Sequence, residues 1–252
     1  MAPLIPILIT VFASPAPALS PIPPKTRQLV IVTTDDWTST TGTLRRYSLD
    51  HHHWHQLGPS IPVTVGKSGL GWGLGVHSSS TNQFPSIQTD PIKQEGDGRA
   101  PAGIFSLTES TGYSKAPPQG TTLPYQQATP SLRCVDDPKS PHYNQLATAP
   151  ENHPTPWQSD EHMLRPDAMY TYTIIVDHNR PRPKAGAGSC IFIHAWAAPD
   201  VPTIGCTAMA EPHLESLLSW LNAAKNPLLI QLPQRTYKAV QKRWALPVLR
   251  SP

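Results

Sequence analysis

The chain carries 31 prolines in 252 residues, about twice ordinary usage. Each proline inside a helix removes a hydrogen bond and drives its ring into the preceding turn. A helical bundle cannot absorb that load. Short strands joined by long loops can, because turns and strand edges accept proline. The length suits one large domain or two small ones, and buries a sizeable core without help from disulfides or metals. Charged residues are 15% and hydrophobic ones 38%, which excludes a coiled coil and a highly charged disordered chain. The net charge of +3 is small, and no Lys/Arg cluster builds a face that would track phosphates. Nucleic acid is therefore not an expected partner.

The N-terminus bears on compartment. Met1 to Phe12 is apolar, and Ala16-Pro17-Ala18 puts small residues in an A-x-A arrangement. Residues 1–18 read as a secretory signal peptide cleaved after Ala18. The competing reading is an apolar tail, since no basic residue precedes the run and prolines interrupt it. The run is too short for a transmembrane helix. Residues 19–27 are a proline-rich linker, and 28–252 form a single domain. In an exported protein Cys134 and Cys190 are one candidate pair, leaving Cys206 free. The odd cysteine count permits other pairings.

Residues 29–33, 43–48, 61–65, 104–107, 171–177 and 190–195 read as short strands bounded by turn residues, which predicts a mainly β sandwich or barrel. One helix is expected after Pro212, where Leu214, Leu217, Leu218 and Leu221 form one apolar stripe. Residues 228–232 read as a returning strand. Tyr237, Val240 and Trp244 suggest a short last helix. Residues 111–170 carry ten prolines and little periodicity. They are expected to be an ordered covering loop, a lid or substrate loop, with Trp157, Tyr125 and Tyr143 holding it.

The chemistry concentrates at Ile191-Phe192-Ile193-His194 and, twelve residues later, Thr203-Ile204-Gly205-Cys206-Thr207. A His at a strand end and a Cys in a glycine-bearing turn can meet across a short connection. An imidazole beside a thiol populates the thiolate nucleophile. Gly205 lets the backbone turn tightly and present N–H groups to a developing oxyanion. The bland alternative is a buried structural Cys beside a satisfied core His.

These residues resemble the signature of the YkuD-type L,D-transpeptidases: a His, a spacer, then Ser/Thr-x-Gly-Cys. Upstream, Arg99-Ala100-Pro101-Ala102-Gly103-Ile104-Phe105 is similar to the family's Thr-Pro-x-Gly-x-Phe segment, with Ala100 in the Thr place. The resemblance covers roughly residues 28 to 232. It implies a mostly β sandwich or barrel with one or two C-terminal helices and the nucleophile at one mouth. It also implies a cysteine-dependent acyl transfer between peptidoglycan stem peptides, in the periplasm or cell envelope of a bacterium, with no cofactor and no metal. Cys206 would attack the L,D bond of a donor stem at diaminopimelate, D-Ala would leave, and an acceptor amine would resolve the acyl-enzyme. His194 would take and return the proton, and the Ala195 carbonyl would orient it. Backbone N–H groups at Ile204, Gly205 and Cys206 would form the oxyanion hole.

Three departures stand out: Ile204 replaces the usual His, Ala208 replaces the usual Arg or Asn, and the spacer is short. They leave donor recognition to other groups and the link type open between 3,3 and 1,3. Candidate substrate contacts are Arg99, Asp136, Asp137, Tyr143, Trp196 and Thr203. The Asp136-Asp137 pair suits the amines of diaminopimelate or caps a turn before Pro138. Arg99 suits a substrate carboxylate or a salt bridge. Trp72, in a glycine-rich stretch without a nucleotide-binding pattern, is a candidate cleft wall. His51, His52, His53 and His55 read as a solvated turn, and Asp177-His178-Asn179 as turn chemistry. Rival readings are an L,D-carboxypeptidase or endopeptidase using the same Cys-His pair, a non-catalytic peptidoglycan-binding module, and a structural β protein whose Cys206 is disulfide-bonded.

Overall fold

The computed structural model of the chain describes residues 20–77 and 89–249. The expected signal peptide lies outside the described residues. Strand β1 (Gln28–Thr34) is buried along its whole length, as its continuous apolar run requires. It pairs antiparallel with β2 (Thr41–Asp50), which turns through His51 and His52 into β3 (His53–Thr64). Both turn histidines have positive φ, 44° and 65°, the backbone of a tight two-residue hairpin. The histidine tract is thus half turn and half exposed strand, and β3 begins eight residues earlier than expected from sequence. Its early half is exposed, so no apolar alternation betrays it.

β1 also pairs in parallel with β13 (Leu228–Pro233). β13 pairs with β5 (Ala100–Gly112), a 13-residue strand that accepts further neighbours along its length: β4 (Leu70–Trp72) at its start, and β6 (Tyr125–Gln127) and β10 (Tyr172–Val176) toward its end. β10 continues through β11 (Phe192–Ala195) and β12 (Thr207–Met209) back to β3. The order β10-β11-β12-β3-β2-β1-β13-β5 closes on itself through the β5–β10 pairing, giving a barrel-like sheet. The mainly β reading holds.

The main core fills this sheet and is capped by helices at the C-terminal end. In α1 (Glu211–Trp220) Leu214, Leu217 and Leu218 are fully buried, and Pro212 sits in the first turn. Burying each Leu contributes about 1.5–3 kcal/mol. The last helix, α2 (Gln234–Val240), buries Tyr237 and Val240, with Trp244 just beyond it. Among the described residues no helix is long and apolar enough to cross a membrane.

Residues 111–170 are ordered, as expected, but built of strands rather than one loop. They end β5, supply β6, and build a separate three-stranded sheet from β8 (Gln145–Thr148), β7 (Leu132–Val135) and β9 (Asp160–His162). Strands of three or four residues are too short to display an alternating pattern, and prolines in the links hide them further. This sheet packs through a second core of Leu132, Cys134, Met163, Tyr170 and Phe192, and that core includes Cys206.

Candidate active site

The register of β11 and β12 puts the sequence-predicted pair on one face. His194 is the partner of Ala208, and Ile193 that of Thr207. Side chains alternate along a strand, so Ile191, Ile193 and Ala195 enter the main core while Phe192 faces the second one. His194 shares the face of Phe192. Cys206 shares the parity of Ala208 and emerges on that same side. Both residues line a cavity of about 540 Å³.

The turn before Cys206 is stapled by Thr203. Its Oγ1 accepts the Gly205 N–H at 3.1 Å and donates to the Cys206 carbonyl at 2.7 Å. The Thr203 backbone bonds to Val65 and Lys67, just past β3. A Cβ on Gly205 would stand 3.1 Å from the Arg99 carbonyl, closer than most real Cβ contacts, so any side chain there would press on that backbone. Gly103 in the upstream motif is tighter still: a Cβ there would fall 2.0 Å from the His77 ring, at φ +137°. The buried Gln231 joins the two motifs. Thr207 Oγ1 donates to its Oε1 at 2.7 Å, and its Nε2 donates to the Pro101 carbonyl at 2.9 Å.

The Cys206 sulfur accepts the Phe192 N–H at 3.3 Å and donates to the Cys190 carbonyl at 3.7 Å. Burial pushes the thiol well above its ordinary pKa, with the Phe192 N–H opposing. Nδ1 of His194 lies 2.7 Å from the Ala195 carbonyl oxygen. Burial lowers this imidazole to about 4, so it is neutral at pH 7. Its ring meets the Tyr170 ring edge-on at 5.1 Å. The Tyr170 hydroxyl donates to Glu161 at 2.7 Å, and the Arg165 guanidinium lies over the Tyr170 ring while pairing with Asp167.

One wall of the cavity is acidic. Glu95, Asp136 and Glu161 come from three separate segments. Asp136 Oδ1 is buried without a hydrogen-bond partner among the described residues, and burial, helped by Asp136 and Glu95, raises the Glu161 carboxyl. The two lining cations are already paired, Lys93 with Asp97 and Arg165 with Asp167. The opposite lip is apolar: Ile204 is 77% exposed and Val201 45%.

Of the other sequence candidates, Asp136, Trp196, Thr203, Ile204 and Gly205 line the cavity. Gly205 spends its N–H on Thr203 rather than on the open space. Four residues stand elsewhere. Arg99 donates to the carbonyls of Leu70 and Trp37 and braces a loop instead of facing a carboxylate. Asp137 caps a turn by accepting the N–H groups of Lys139 and Gln158. Tyr143 lies behind the cavity, its hydroxyl bonded to Glu95. Trp72 packs against Trp37 in the core instead of walling the cleft. His178 is turn chemistry, as expected, with both ring nitrogens bonded to backbone groups of Leu74 and Ala187. Cys134 and Cys190 form the disulfide and Cys206 is free, which removes the reading with a bonded Cys206.

Glu95, Glu161, Tyr170 and Arg165 escape sequence reasoning. They are scattered over 76 residues and converge only through the small sheet and the β9–β10 link.

The model of the YkuD family, the L,D-transpeptidase catalytic domain, matches residues 56–230. No curated protein matches the chain. A solved structure of Bd1075 from Bdellovibrio bacteriovorus is similar over 81% of this chain at 13% identity, with a TM-score of 0.39. The match spans 47% of that protein's length, about half. The family match takes in both glycine motifs, the His194 strand and the Cys206 turn, and it extends over more than half of the sequence: the chain belongs to the YkuD family of L,D-transpeptidase catalytic domains.

Proposed function

We propose that the protein is an exported L,D-transpeptidase that acylates Cys206 with a peptidoglycan stem and transfers it to the amine of a second stem. The observation that carries this reading is the shared cavity of Cys206 and His194, with Nδ1 of the imidazole committed to Ala195. A carbonyl only accepts, so Nδ1 bears the proton and Nε2 keeps its lone pair. The resting pair is a neutral thiol and a neutral imidazole. As the sulfur adds to the substrate carbonyl, its proton passes to Nε2, and from there to the departing D-Ala amine. The acceptor amine then adds to the thioester and gives up a proton to the same nitrogen. N–H groups of the 204–206 turn lie beside the sulfur and suit the developing oxyanion. Since Gly205 donates to Thr203, Ile204 and Cys206 are the remaining donors for that role.

The acidic wall supports a cationic substrate. An unpartnered buried Asp136 oxygen gains a partner when an ammonium of diaminopimelate enters. The Cys134–Cys190 disulfide fits an oxidising location such as the periplasm or envelope.

The test is mass spectrometry of purified muropeptides after incubation with the protein and with its Cys206→Ala variant. Dimers made only by the unmutated protein establish transfer, and fragmentation assigns the 3,3 or 1,3 link. Shortened monomers alone make it a carboxypeptidase or endopeptidase. Unchanged muropeptides with both proteins leave a binding module.

A further inference from the structure

The segment that grips Cys206 is itself gripped from outside the barrel. Both partners of the sulfur, the Phe192 N–H and the Cys190 carbonyl, belong to the stretch leading into β11. Cys190 sits at φ +53°, a left-handed backbone that costs an ordinary L residue about 1–2 kcal/mol. Two attachments from the small sheet hold it there. The first is the disulfide to Cys134 in β7. The second is the side chain of Asn144, which is 4% exposed. Its Oδ1 accepts the Cys190 N–H at 2.9 Å, and its Nδ2 donates to the carbonyls of His178 and Asn179, each at 2.9 Å. Only an amide offers an acceptor and two donors from one short side chain. Beside this pair, the hydroxyls of Tyr143 and Ser189 both donate to Glu95. Residues 143–144 and 189–190 therefore form one seam between the small sheet and the strand of His194.

We propose that Asn144 and the Cys134–Cys190 disulfide are positioning elements for the nucleophile, fixing the Cys190 carbonyl and with it the direction of the Cys206 sulfur, so that acyl transfer requires the oxidised disulfide. The inference rests on Cys206 being the nucleophile. A cysteine side chain has three staggered χ1 wells, and a fixed acceptor selects one of them. Releasing Cys190 frees the sulfur to turn away from the substrate, and misplacement by about 1 Å costs up to about a hundredfold in rate. Asn144 does not line the cavity, so it acts on the chemistry through the backbone it holds, of which Cys190 is the part that touches the Cys206 sulfur.

The test reduces the folded full chain with a water-soluble phosphine. The disulfide takes two electrons and becomes two thiols, and the phosphine becomes its oxide with oxygen from water. Two quantities are read: kcat and KM for transfer from a stem tetrapeptide, and the pH profile of Cys206 alkylation by iodoacetamide, followed by peptide mass mapping. Reduction is expected to lower kcat by about tenfold to a hundredfold with KM within about twofold, and reoxidation to restore it. The alkylation midpoint moves to lower pH, because a carbonyl that held the thiol proton no longer does. Asn144→Ala, with the disulfide intact, moves both readouts in the same directions. Unchanged kcat and an unchanged profile in the folded, reduced protein overturn the proposal. If reduction unfolds the chain, Asn144→Ala decides by the same criteria. An oxidised protein that transfers nothing counts against the transpeptidase reading alone, since the alkylation profile still tests the positioning.

Discussion

Nδ1 of His194 lies 2.7 Å from the carbonyl oxygen of Ala195, its own neighbour along β11. The contact fixes the tautomer and holds the ring, and it leaves Nε2 as the unprotonated nitrogen of a side chain that lines the cavity. No carboxylate accepts from this imidazole: burial dominates and sets it near 4, with the Ala195 carbonyl and the more distant Asp167 opposing and Arg165 adding to the fall.

That gives a pH signature. A base whose pKa is lowered stays unprotonated further into acid than a free histidine does. In the proposed mechanism the acid limb of kcat/KM for acylation falls through about pH 4 and is flat at the ordinary histidine value of 6.5. A pH–rate profile on a stem tetrapeptide measures this, and an acid limb centred at 6.5 would count against it. His194→Ala is expected to lower kcat by about a hundredfold or more at neutral pH.

Fold stability carries a related signature. His77 and His178 are 4% and 1% exposed, and burial lowers each to about 4. Between pH 6.5 and 4 the unfolded chain takes up protons that the folded one refuses, so stability falls as pH drops through that window. The loss is on the order of a few kcal/mol for these two, and His194, buried and lowered to about 4 in the same way, adds to it. Urea unfolding at pH 7.5 and 4.5 checks it; equal midpoints would refute the assignment of two buried neutral histidines.

Thr203 staples the turn that leads into Cys206. Thr203→Val keeps the shape and removes both side-chain bonds, leaving the Gly205 N–H and the Cys206 carbonyl without that partner. The expected cost is about 1–3 kcal/mol in stability and a fall in kcat, while Thr203→Ser retains activity. A valine variant with wild-type kcat would show that the turn holds without it.

Among the described residues, Asp136 presents a buried carboxylate oxygen without a hydrogen-bond partner on the acidic wall. Asp136→Asn preserves volume and removes the charge. For a donor or acceptor carrying a free side-chain ammonium, KM should rise about tenfold, with little change for a stem whose amine is acetylated. Equal KM changes for the two stems would place the ammonium elsewhere.

Much of the barrel can be read from the sequence because its signals are local. The all-apolar run at 29–32, the leucine stripe at 214–221 and the apolar strand at 228–232 each report their own burial. The reactive pair is equally local: twelve residues separate His194 from Cys206, and a parallel β11–β12 ladder is enough to bring them to one face. The three-stranded sheet within 111–170 gives no such signal. Its strands are short, and its apolar residues pack on Phe192 and Cys206 from a distant part of the chain. For the same reason Glu161 and Tyr170 cannot be picked out in advance. Asp136 and Asp137 are neighbours with opposite fates, one on the cavity and one capping a turn, because the choice depends on where Gln158 lies. Arg99 misleads similarly: it stands just before the upstream glycine motif, yet its side chain is consumed by the carbonyls of Leu70, in β4, and Trp37.

In the proposed reaction Cys206 forms a covalent acyl bond with a peptidoglycan stem. Intact-protein mass spectrometry after brief exposure to a purified tetrapeptide stem tests it most directly. The expected result is an adduct equal to the stem less its leaving fragment, which is the terminal D-Ala for a 3,3 donor and the rest of the stem after its first residue for a 1,3 donor, mapped to Cys206, lost on adding an acceptor stem and absent from Cys206→Ala. No adduct at any time, or the same adduct on the alanine variant, would contradict it.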